Sequence, residues 1–319
     1  MAVNSDKPTQ WKRDIEESVD FYNEWFLRFA PKAYRETRER TTREVELALK
    51  WADNLKNISE QVLRDHPTVL RTLRMATAPP IARDRLIGLS GVSKTLVSSM
   101  EDQGKIPPRM GTDEVSRDLA SIGHMISRLL DSDIFPWIET RTRPGPKDVY
   151  RAATIVADRL CGAVANPIIR NAQERRQLNA IGQWLRKKGY TAAPAGDKAK
   201  FEAMAPGTFG FRVNVPVTVR ETQRINIPVD VAIMPRGAKR TQLPLLVEAK
   251  SAGDFTNVNK RRKEEAIKVT QLRRAHGKGI RYILFLCGYF DTGYLGYEAA
   301  EGIDWVWEHR IDDLDRFGL

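Results

Sequence analysis

Cysteine is nearly absent: Cys161 and Cys287 are the only two in 319 residues. Two cysteines make neither a disulfide framework nor a zinc cluster. Histidine is scarce as well, and His66, His124, His276 and His309 stand apart without metal-ligand spacing. No apolar run reaches the roughly 18 residues of a membrane-crossing helix. The first residues, MAVNSDKPTQWKR, hold no signal-peptide core. The expectation is a cytoplasmic protein with no membrane partner. Internal repeats and low-complexity tracts are also missing.

Positive charge is plentiful. Lysine and arginine number 52 against 41 acidic residues, giving a net charge of +11 and an isoelectric point near 9.7. Such a balance favours a polyanionic partner, nucleic acid above all. A basic soluble protein with no such partner is the plain alternative. Hydrophobic residues make up 41%, which excludes a disordered chain. A mass of 36.3 kDa suggests two domains.

The most informative stretch pairs VDVAIM (229–234) with LPLLVEA (243–249) across a basic turn. The first alternates and the second is a short apolar run, so both read as strands. Three ionisable residues, Asp230, Glu248 and Lys250, sit on them. Glu248 and Lys250 are two apart and share a face of their strand. A turn near Ala238 and Lys239 sets Asp230 opposite Val247 or Glu248. Isolated charges are costly there unless they are paired or hold a metal. Two carboxylates suit a hard divalent cation such as Mg2+, which polarises a phosphate and lowers the pKa of a bound water. A neighbouring lysine orients that water or stabilises its hydroxide form. A surface strand with an ion pair would show the same triplet. Against it, Glu248 is the only Asp or Glu with lysine two positions later, and it ends an apolar strand.

The first half of the chain reads as helical, with breaks expected at Pro31 and Pro67. Its aromatic set (Trp11, Phe21, Tyr22, Trp25, Phe26 and Phe29) suits core packing or a partner helix better than base stacking. Within 82–103, a helix from Ala82 to Leu89, a turn at Ser90-Gly91-Val92 and a helix capped by Ser93 make a helix-turn-helix-like segment. It resembles the helix-turn-helix of bacterial repressors. By that resemblance Ser93, Lys94, Thr95 and Ser98 face the DNA major groove. An ordinary helical hairpin uses the same turn chemistry. The polar Thr140–Lys147 stretch marks the expected boundary between an all-α domain (1–146) and an α/β domain (147–319).

The α/β domain is expected to open with a helical stretch broken at Pro167. FGFRVNVPVTV (209–219) alternates and reads as its first core strand. From Arg236 to Lys278 twelve basic residues face four acids. Among them Lys260, Arg261, Arg262 and Lys263 are candidates for phosphate contact, with a solvated helix face as the alternative. YILFLC (282–287) reads as a buried strand, parallel to the Glu248 strand after a helical crossover. A short strand is expected near Trp305 and Trp307.

The pattern Asp-x17-Glu-x-Lys resembles the catalytic motif of the PD-(D/E)XK nuclease superfamily. Pro228-Val229-Asp230 stands where that motif has Pro-Asp, with one residue inserted. The resemblance implies a mixed central sheet flanked by helices. It implies Asp230 and Glu248 as metal ligands, the Ala249 carbonyl as a further one, and Lys250 as the residue that assists the water. In such folds a preceding helix sometimes adds a carboxylate; Glu174 is the candidate, and a surface ion pair is its other reading. The Val-Glu-Ala-Lys-Ser strand, Asp254–Asn257, Lys260–Glu265, Phe285–Asp291 and Gly302–Arg310 resemble XamI-type type II restriction endonucleases. That implies Mg2+-dependent cleavage of double-stranded DNA at a short palindrome by a homodimer in a bacterial or archaeal cytoplasm. It also implies a companion DNA methyltransferase that acts on the same site without being bound. The family namesake's target is GTCGAC, and the same site is carried over here. A repair or junction-resolving nuclease with this core, and a non-catalytic helix-turn-helix regulator, are the alternatives. The regulator has no use for carboxylates beside DNA phosphate.

Overall fold

The computed structural model of the chain describes residues 2–193, 201–220, 223–239, 242–255, 258–277 and 279–319. Within these ranges the side chains of 202, 219, 220, 223 and 258–262 are not described. Apolar residues at helical spacing (Ile15, Val19, Tyr22, Phe26 and Phe29) and a second half rich in Glu, Arg, Ala and Leu form α1 (Pro8–Trp51). Pro31 lies inside it, where the sequence predicts a break. The missing N–H leaves the carbonyl of Leu27, a residue 69% exposed, without its helical partner. Left-handed Asp53, Asn54 and Leu55 then turn the chain out of the helix.

The helical region continues with α2 (Glu60–Asp65), α3 (Val69–Met75), α4 (Arg83–Ser90), α5 (Lys94–Gln103), α6 (Thr112–Leu129) and α7 (Trp137–Thr140). Next comes the long α8 (Pro146–Lys187). Pro167 sits inside α8 rather than breaking it, and its freed carbonyl belongs to exposed Ala163. By length and composition α8 could cross a membrane; Ala152, Val156, Leu160, Ile181 and Leu185 on it are buried in the protein's own cores.

The α4–α5 turn follows its sequence closely. Gly91 takes φ +64°, a left-handed conformation that favours glycine. The Ser93 side chain caps α5 by accepting from the Leu96 amide. The Ser93 amide donates to Asp118 of α6 at 3.0 Å. Leu86, Leu96, Val97 and Met100 are fully buried. Each such side chain contributes about 1.5–3 kcal/mol of burial free energy.

The remaining elements form a six-stranded sheet in sequence order: β1 (Thr191–Ala192), β2 (Thr208–Arg220), β3 (Gln223–Ile233), β4 (Leu245–Ala252), β5 (Arg281–Gly288) and β6 (Asp304–Trp307). β2, β3 and β4 are antiparallel neighbours. β1–β2, β4–β5 and β5–β6 run parallel. The two C-terminal parallel pairs need crossovers, supplied by α9 (Val258–His276) and α10 (Thr292–Ala300). Pairing of Ile233 with Leu245 centres the β3–β4 connection on Lys239, as the hairpin reading requires. Arg240 and Thr241 lie outside the described residues.

Period-two alternation gives the sheet two apolar faces. One packs Val231, Val247, Ile283 and Phe285 against Ile181, Trp184 and Leu185 of α8. The other packs Leu246, Leu284, Leu286 and Trp305 with Val269 and Leu272 of α9 and Tyr294 and Leu295 of α10.

Packing groups Met1–Phe29 with Arg170–Leu319 in one unit and Ala30–Ile169 in another. This differs from a division at 146/147. The irregular Arg141–Gly145 stretch breaks secondary structure, yet Pro146 is simply the first residue of α8, a position that needs no N–H.

Candidate active site

Pairing between β3 and β4 ends at Val231–Val247, whereas β4 stays paired to β5 as far as Ala252–Gly288. The end of β4 is therefore held on one edge and open on the other. One step beyond the last pair, the same register sets Asp230 against Glu248. The Asp230 carboxylate accepts from the Ala249 amide at 2.8 Å. A strand residue sends its N–H and C=O to the same side, so the Ala249 carbonyl also faces Asp230. A cavity of about 340 Å³ opens here, lined by Asp230, Glu248, Ala249, Lys250 and Ser251, by Glu264 of α9, and by Arg170, Gln173, Glu174 and Gln177 of α8.

Glu248 is buried, and both its oxygens face ammonium groups. Oε1 lies 3.2 Å from Lys250 Nζ, and Oε2 lies 2.6 Å from Lys268 Nζ. Lys250 makes a shorter contact, 2.7 Å, with Glu265 Oε1. The Tyr282 hydroxyl donates to the other oxygen of Glu265 at 2.7 Å. Gln177 Nε2 donates to the carbonyls of Lys250 and Phe285, both at 3.3 Å, and so ties α8 to the ends of β4 and β5.

These contacts set the charges. Burial first, and the Glu248 charge second, push the Asp230 carboxyl up to about 6, although the Ala249 amide and two lysines pull the other way. Burial opposes the Lys250 charge, but Glu265 and Glu248 outweigh it and hold the ammonium above its ordinary value. A carboxylate made costly by burial and by a like charge, next to an outward carbonyl, is a donor set that a hard divalent cation suits.

The motif residues Asp230, Glu248, Ala249 and Lys250 thus come together at one strand end. Glu174 lines the same cavity, and its carboxylate is paired with Arg212 at 2.9 Å. Lys263 is exposed on α9, while the side chains of Lys260, Arg261 and Arg262 lie outside the described residues. In the helical unit, Lys94 and Thr95 are exposed at the start of α5, and Ser93 and Ser98 are half-buried. Elsewhere, Asp14, Glu17 and His309 bring ligand atoms within 4.8 Å of one another. Asp14 is already paired with Arg310 at 2.7 Å, and Glu17 lies near Arg13, so this cluster reads as ion pairs.

Sequence reasoning missed Glu265 and Lys268 by placing both in a charged run. A signal was available. Val269 and Leu272 form the buried stripe of α9, and one turn back at helical spacing the stripe lands on Glu265 and Lys268.

The model of the XamI restriction endonuclease family matches residues 53–307. Type II restriction enzyme SalI of Streptomyces albus G is 55% identical over 316 residues, covering 99% of both chains. Among solved structures, protein VC1899 from Vibrio cholerae aligns with 80% of this chain at 10% identity and a TM-score of 0.27. This chain spans 55% of that protein's length, and the likeness is too slight to inform fold or function. The matched family model and the near full-length relative settle the question left by the strand end: the chain belongs to the XamI restriction endonuclease family and is a type II site-specific endonuclease.

Proposed function

We propose that this endonuclease hydrolyses double-stranded DNA with Mg2+ held by Asp230 and Glu248, on a core of PD-(D/E)XK type. The Ala249 carbonyl is a third ligand, and Glu174 a further one once it leaves Arg212. The carrying observation is the meeting of Asp230, Glu248 and Lys250 at the end of β4 that β3 leaves open. When bound, Mg2+ polarises the scissile phosphate and makes a bound water more acidic.

The chain's own residues do the rest. Asp230 and Glu248 supply the negative charge that fixes where the cation sits. Lys250 remains an ammonium at neutral pH, so it is a donor and not a proton acceptor. Its Nζ orients the attacking water and offsets the charge that develops on the phosphate. Gln177 holds the strand ends on which these groups stand.

Around this site, Lys260, Arg261, Arg262 and Lys263 take phosphate contacts. Ser93, Lys94, Thr95 and Ser98 of the α4–α5 segment contact the duplex. By family resemblance the target is the palindrome GTCGAC, cut by a homodimer. A DNA methyltransferase that protects the same site would accompany it in the cytoplasm of a bacterium or archaeon. With the family known, a regulator without catalysis or a repair nuclease has no observation in its favour.

Glu248→Gln tests the assignment. It removes charge from the cation site and keeps the shape. Cleavage of plasmid DNA should be lost and duplex binding retained. A variant that cuts at close to the wild-type rate would remove Glu248 from the site.

A further inference from the structure

We propose that Glu265 is the positioning residue for Lys250, and that the Tyr282 hydroxyl fixes Glu265. The inference rests on the catalytic role of Lys250 given above. Neither Glu265 nor Tyr282 belongs to the Asp-x17-Glu-x-Lys pattern. They come from α9 and β5, the elements that follow the catalytic strand.

Ion pairs and one hydrogen bond link the three residues. A lysine has a flexible four-carbon stem, and left alone its ammonium samples many positions. Here Lys250 Nζ lies between two carboxylates on different elements, nearer to Glu265 at 2.7 Å than to Glu248 at 3.2 Å. Glu248 is the proposed ligand of the cation. Glu265 is then the anchor of Lys250 that keeps its place when a metal binds. Glu265 is itself fixed, being 1% exposed with its second oxygen on the Tyr282 hydroxyl. Tyr282 is buried on β5, where it pairs with Leu246 of β4, two residues before Glu248.

Stability alone explains this arrangement poorly. A buried ion pair contributes little over well-packed apolar residues, because desolvation offsets the attraction. Glu265 also occupies a position where the α9 stripe would otherwise carry an apolar side chain. What the pair supplies is a fixed ammonium in the lining of the cavity. Outer partners of this kind commonly change activity by about 10- to 100-fold when removed.

Four variants test this: Glu265→Gln, Tyr282→Phe, Lys250→Ala and Val269→Ala. Single-turnover cleavage at saturating Mg2+, duplex affinity in Ca2+ and thermal midpoint are measured for each. Glu265→Gln should slow cleavage about 10- to 100-fold, and Tyr282→Phe by less, with duplex affinity unchanged. Val269→Ala, on the same helix face but only apolar, should lower the midpoint and leave the rate at low temperature unchanged. If Glu265→Gln cleaves within about threefold of wild type while Lys250→Ala is inactive, the positioning role is overturned and the catalytic reading of Lys250 stands. If Lys250→Ala cleaves normally, that reading falls and this inference with it. A rate loss in all three of the Glu265, Tyr282 and Val269 variants that tracks their midpoints makes the network structural and also overturns the proposal.

Discussion

Glu298 stands on α10, fully buried, and burial together with the nearby charge of Glu265 pushes its carboxyl up to about 8. It is therefore protonated at pH 7 and does not compete with Glu265 for the lysine. An unfolded glutamate ionises near 4.5, so between about 4.5 and 8 the folded chain holds a proton that the unfolded chain has lost. Stability from this group is complete below 4.5 and is lost as pH rises through 8, with a slope of at most about 1.4 kcal/mol per pH unit. Glu298→Gln should flatten the fall of the thermal midpoint between pH 5 and 8 and leave the variant the more stable at pH 8. Calorimetry across that range checks it, and parallel curves for the two proteins would show that Glu298 ionises normally. The residues in this network differ in how legible they are. Asp230, Glu248 and Lys250 stand out because charge interrupts strands that are otherwise apolar. Glu265, Lys268 and Glu298 do not, because a charged residue on a helix looks the same in sequence whether it meets water or a buried partner.

The same contrast holds for elements. β3, β4, β5 and β6 were readable because alternation and short apolar runs have lengths that only strands take. The α4–α5 turn was readable because Gly91 and Ser93 meet specific backbone needs, a left-handed residue and a free amide at a helix start. The two long stretches were readable as helical, but their continuity through Pro31 and Pro167 was not, because whether a helix carries a proline through or ends at it depends on the tertiary surroundings. The α9 helix mixes both situations. Its buried stripe faces the site, while Lys263 is exposed and the neighbouring Lys260, Arg261 and Arg262 are read as phosphate contacts from sequence alone. Replacing these four by alanine should weaken binding to every duplex alike. It should also reduce the slope of log affinity against log salt by about one per lost contact. Titrations of one duplex at several salt concentrations measure that slope. An unchanged slope would leave the run a solvated helix face.

At the scale of the whole molecule, the chemistry requires two cuts on antiparallel strands, and the chain carries the Asp-x17-Glu-x-Lys pattern once. One strand end, with one open edge beside β4, would serve one strand of a duplex. A twofold axis relating two chains would place a second copy of the site on the opposite strand, and it would require the target to share that symmetry. A palindrome such as GTCGAC has the symmetry this demands. The predicted assembly on DNA is therefore two chains per duplex, with one Lys250 at each scissile phosphate. Sedimentation of the purified complex with a cognate duplex, in Ca2+ to prevent cutting, gives the stoichiometry directly. Mixing wild type with Glu248→Gln adds a kinetic check, because mixed dimers should nick one strand of a plasmid and leave the other intact. A complex of one chain per duplex that still breaks both strands would rule out the symmetric dimer and require a single site to cut the two strands in turn.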